Sequence, residues 1–194
     1  IRGSNESKWY TIGLSVMATQ ASAIQRVAIA YLSNADLPGA REVLRAAVRR
    51  GVPVPGLVTQ MAGTFETGFA LEDADQRLLL RMTPAAFDDD RAWWGQTLAT
   101  MHWQRGDTAL AHAYADSALA PTLAHLAVVP DDPQLHGLLA LMFAYAGRPT
   151  EAHASLARSL SSVDRYTLRT YNLVNAATEL PVMRRWLRSR KNSM

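Results

Sequence analysis

Three segments of the chain repeat one pattern: a turn with a small residue and an acidic or proline-containing step, then an amphipathic helix with alanine at a fixed place. They are Asn34-Ala35-Asp36-Leu37-Pro38-Gly39-Ala40, Arg105-Gly106-Asp107-Thr108-Ala109-Leu110-Ala111 and Ala146-Gly147-Arg148-Pro149-Thr150-Glu151-Ala152. From each final alanine, small or apolar residues follow at the spacing of one helix face. The sets are Val43, Leu44, Ala47 and Val48; Tyr114, Ala115, Ala118 and Leu119; and Ser155, Leu156, Ser159 and Leu160. One buried stripe is thus written three times. Repetition of a supersecondary unit marks a helical array in which neighbours bury each other's faces.

The rest of the chain is helical in pattern. A first helix is expected over Gln20 to Ser33, and a second begins with Pro38 in its first turn, where the missing N–H costs nothing. It should end at Gly51 as a left-handed cap, with Pro53 and Pro55 blocking continuation. Between Ala40 and Ala111 lies room for about two repeats of about 34 residues, so a degenerate hairpin is expected over 56–83. Its helices would hold Val58, Met61, Ala62 and Phe65, then Leu71 to Met82. Thr83-Pro84 reads as a helix start with threonine as cap. The next hairpin is expected as Ala92 to Gln104 and a helix ending near Ala120. Pro121 and Val129-Pro130-Asp131-Asp132-Pro133 supply a long connection. Pro133 to Ala146 and Pro149 to Ser161 form a third. The clear repeats are therefore 22–51, 92–120 and 133–161, with a short terminal unit at 165–191, all in one array spanning 1–194. Residues 1–5 read as artificial or domain-cut sequence, and with the second reading a larger parent protein is expected.

These hairpins resemble tetratricopeptide repeats. The resemblance rests on Val27, Ala28, Tyr31, Ala40, Leu44 and Ala47 in the first repeat. The second supplies Leu98, Ala99, Gly106, Asp107, Ala111 and Ala118, and the third Leu139, Ala140, Phe143, Gly147, Ala152, Leu156 and Ser159. It covers about half the chain and departs in two ways: alanine replaces the glycine after the first-helix leucine, and the closing proline is absent or displaced. A more diffuse likeness extends from Thr83 to Ala152, to repeat regions of bacterial serine/threonine kinases and transcriptional regulators. The resemblance implies an all-α, right-handed solenoid of helical hairpins with one degenerate insertion.

Composition narrows the function. Net charge is +3, with lysine only at Lys8 and Lys191, and there is no cysteine, so neither disulfides nor thiolate metal sites can form. The stretch Trp9 to Ala30 comes nearest to a membrane span but is interrupted by polar residues. No membrane insertion is expected, and a cytoplasmic location is. Arg41, Arg45 and Arg49 on one helix, and Arg184, Arg185, Arg188, Arg190 and Lys191 in the tail, read as solvated helix surface rather than a nucleic-acid contact. Neither GxxxxGK[ST] nor GxGxxG is present, and Gly13-Leu14-Ser15 lacks the second glycine of a nucleophile elbow. Asp88, Asp89 and Asp90 read as helix-start charge. His112 and Asp116 share a helical spacing but are too few for a metal, and His112 and His153 should face solvent. No cofactor, no metal and no catalytic residue are expected.

The first helix of the middle repeat carries two faces. Trp94, Leu98 and Met101 form a stripe expected in the core; Trp93, Gln96, Thr100 and Trp103 form another. In tetratricopeptide arrays the second face lines a concave groove, and its counterparts here include Gln25 in the first repeat and Leu141 and Tyr145 in the third. With Gln104, these residues are expected to make an apolar and aromatic groove; the alternative is that Trp93 and Trp103 pack against the irregular hairpin instead. The expected function is non-enzymatic binding of a peptide, helix or partner domain, including another part of the parent protein, and a homo-oligomer is compatible with it. The alternative is a ligand-sensing or regulatory domain.

Overall fold

The computed structural model describes residues 20–160, and every regular element among them is helical. The expected terminal unit at 165–191, residues 1–5, Ser15 and the basic tail lie outside the described residues. The chain divides into two compact units, one ending at Ala86 and the other beginning at Phe87.

The first unit contains α1 (20–33), α2 (Leu37–Arg49), α3 (Val54–Ala62), α4 (Phe65–Gly68) and α5 (Asp73–Leu79). α2 ends as expected: Gly51 has φ 90°, and Val52 N–H reaches back to Ala47 O at 3.1 Å. The degenerate hairpin is more broken than its pattern suggests. α3 stops at Ala62, and Phe65, expected in the same helix, instead begins the single turn α4. The break falls at Gly63 and Thr64, where glycine lowers helix propensity and Thr64 adopts extended backbone. The Thr67 hydroxyl spans the break by donating to Met61 O. Gln25 of α1 is tied to α3 on both sides, donating to Gln60 O at 2.8 Å and accepting from Gln60 Nε2 at 2.8 Å. This groove counterpart of the first repeat therefore fastens two helices together.

The second unit contains α6 (Arg91–Arg105), α7 (Thr108–Val128), α8 (Pro133–Tyr145) and α9 (Pro149–Ser159). Thr83-Pro84 does not open α6. It opens a 3-10 turn, Pro84–Phe87, after which Asp88 and Asp89 take positive φ and Asp90 becomes the cap. The Asp90 carboxylate accepts from Ala92 N at 2.9 Å and Trp93 N at 3.0 Å, satisfying amides that the helix leaves open. α7 also departs from expectation: it runs through Pro121 to Val128 instead of ending near Ala120. The proline removes one N–H from the ladder, but the helix continues on either side, and Thr122 Oγ1 donates to Ala118 O at 2.7 Å.

Packing follows chain order in this unit: α6 lies along α7, α7 on α8, and α8 on α9, with α6 also touching α8. Helices α6 and α7 approach closely at Gly95, where a Cβ would stand 3.0 Å from that of Ala118. The pair α8 and α9 is closed at its far end by buried Ser159, whose hydroxyl donates to Pro133 O at 2.8 Å.

The three expected hairpin turns share one geometry. Ala35, Gly106 and Gly147 all have left-handed φ, at 57°, 80° and 71°. In each turn the next N–H bonds the carbonyl five residues back: Asp36 to Tyr31, Asp107 to His102 and Arg148 to Phe143, at 3.0, 2.9 and 2.8 Å. This is the wrapped helix end that a left-handed residue makes available. The same residue then starts the following helix. Asp36 and Asp107 cap it with their carboxylates, while Arg148 pairs with Glu151 and lies over the Phe143 ring. Four positions further on stand Ala40, Ala111 and Ala152, each 0 % exposed.

Ala35 alone holds this left-handed position with a side chain, at the steric cost glycine avoids. Ala35→Gly should therefore stabilise the protein by roughly 0.5–1 kcal/mol, and Gly106→Ala should destabilise it by about 1 kcal/mol or more. Urea unfolding of both variants checks the pair; a loss of stability in Ala35→Gly would exclude this turn.

Candidate functional site

The expected groove face lies largely inside the second unit. α6 is buried without interruption from Thr97 to Trp103, and α8 from Leu139 to Tyr145. Such runs exceed one helical stripe, because each of these helices is covered on more than one side. α7 and α9 instead bury only a stripe, at Ala111, Ala115 and Ala118 and at Ala152, Leu156 and Ser159.

Trp103 is only 3 % exposed and Tyr145 1 %, with their rings 5.1 Å apart across the contact of α6 with α8. Thr100 and Leu141 are buried as well. The aromatic residues expected to line an open groove thus form the seam between consecutive hairpins. Trp93, Gln96 and Gln104 stay half-buried at its margin, Trp93 with its ring edge-on to Phe87 at 5.1 Å. Trp94, expected in the core, is half-buried like Trp93 and stands edge-on to Tyr114, whereas its stripe partners Leu98 and Met101 are buried. Among the described residues no acceptor reaches the buried Trp103 Nε1.

The histidines serve local structure. His102 is buried, stacked on Tyr114 at 5.3 Å and 3.6 Å from the Asp107 carboxylate. Burial holds its imidazole below the ordinary value, against the opposing pull of Asp107. His136 makes a 2.8 Å hydrogen bond with Pro130 O, and exposed His153 makes one with Pro149 O. His112 is half-buried instead of solvent-facing: a Cβ on Gly147 would lie 3.4 Å from its ring, so α7 braces the next hairpin's turn there. Among the described residues no three His, Asp or Glu side chains converge.

A concave site that sequence periodicity did not reveal lies in the first unit. It is a cleft of about 360 Å³, lined by buried Leu44, Leu57, Val58 and Leu71 and by exposed Val48. α2 forms one wall with Arg41, Arg45 and Arg49, and the start of α5 forms the other with Glu72 and Asp75. Most of this charge is engaged. Arg45 bonds Glu42 at 2.9 Å and crosses the cleft mouth to Glu72 at 2.6 Å, and Arg49 bonds Glu42 at 2.6 Å. Arg49 first, then Arg45, hold the exposed Glu42 carboxyl below its ordinary value. Asp75 accepts the Glu72 N–H at 3.3 Å. Arg41 differs: it is half-buried, its Nε is shut away from water, and among the described residues that atom has no hydrogen-bond partner. The arginine row reads as solvated surface in sequence. Its link to the cleft is that Arg41 stands three and seven positions before Leu44 and Val48, on their helix face.

No family model, no curated protein and no solved structure matches the chain.

Two outcomes follow. Trp103→Ala should cost about 3–5 kcal/mol of stability, as a buried large-to-small change, and Trp94→Ala distinctly less; paired denaturant titrations check the order. His102 is harder to protonate folded than unfolded, so unfolding takes up a proton on acidification. Its contribution to stability is present above about pH 6.5, the ordinary imidazole value, and is lost as pH falls below it. Melting between pH 7.5 and 5 should therefore fall more steeply for the native chain than for His102→Phe, which keeps the ring stacked on Tyr114.

Proposed function

We propose that the chain is a non-enzymatic interaction module, a tetratricopeptide-like right-handed array that receives a peptide, helix or domain of a partner. The observation carrying this reading is the threefold turn: a left-handed residue, a cap, and a fully buried alanine four positions after the cap. A unit repeated at that register has a packing purpose on its inner stripe and leaves its margins for contact. In the second unit the margin offers the half-buried Trp93 with the amides of Gln96 and Gln104, an aromatic anchor beside groups that orient a peptide backbone.

A second reading, a ligand-sensing or regulatory domain, is favoured by the 360 Å³ cleft of the first unit, a volume within the range of small-molecule sites. A ligand that fits the cleft could alter the packing of α2 against α3 and α5 and so change the face offered to a partner.

Site-specific photo-crosslinking tests the interaction reading. A photoreactive residue at position 96, introduced in the native host, should give a discrete protein adduct. Trp93→Ala should reduce that adduct at least tenfold with only a small drop in melting temperature. The same residue at exposed position 113, on α7, should give none. Equal labelling from both positions, or an adduct indifferent to Trp93→Ala, would contradict the assigned margin.

A further inference from the structure

We draw no further inference here: the strongest candidate, the exposed apolar patch at the C-terminal end of α7 where Leu123, Val128 and Val129 stand open to solvent, is an unpartnered helix face, and nothing in the structure shows what covers it.

Discussion

The structure depends on a chain reversal made in two residues. A left-handed residue ends one helix, and the residue after it both closes that end through its N–H and begins the next helix. Asp36, Asp107 and Arg148 hold this double post. Because the turn has no spare residue, the phase of the second helix is fixed relative to the first. The alanine four positions on must then face the partner helix, and its amide donates to the cap carbonyl at 3.0–3.1 Å in all three hairpins. At 0 % exposure there is no room for a longer side chain. Turn chemistry, register and close packing are one constraint.

From that constraint the unequal burial of the helices follows. In the second unit, α7 and α9 each bury one stripe, whereas α6 and α8 are enclosed over most of their length. The seam of Trp103 on Tyr145 is where successive hairpins meet. Large aromatic rings there bury much area and adopt a tilted contact, so they serve cohesion better than recognition. In the first unit the same logic is looser. α3 breaks at Gly63, α4 is one turn long, and the incomplete covering of α2 leaves the apolar cleft with its arginine wall.

Sequence made the hairpins readable because their information is local. The small residue at the turn, the capping Asp36 and Asp107, Pro38 and Pro149 in first turns, and the alanine stripe each act within a few residues. α8 and α9 accordingly lie within two residues of expectation. Errors came where a local signal is overridden or tertiary contact decides. Pro121 reads as a stop, yet α7 runs past it to Val128 with only Thr122 buried beyond it, the Thr122 hydroxyl bonding Ala118 O across the proline. Thr83-Pro84 reads as a start, yet only one 3-10 turn forms before Asp90 takes over. The expected site suffered most. Helical spacing assigns Trp94 and Trp103 to two faces correctly, but it cannot say which neighbour covers each face. Trp103 is sealed by Tyr145 of a helix that begins about thirty residues later, while Trp94 is only half-buried. The cleft was harder still, since its walls come from α2 and α5 and no period in the sequence links them.

The most direct test of the shared turn is native-state amide hydrogen exchange, resolved by residue, at Asp36, Asp107 and Arg148. In an open loop these amides would exchange at rates near those of an unstructured chain. In the wrapped helix end each is bonded to the carbonyl five residues back, so all three should be strongly protected, with Asp107 and Arg148 matching the helices they close. Rapid, unprotected exchange at Asp107 and Arg148 alongside protected flanking helices would contradict the account, because the helices would then be joined without the turn that sets their register.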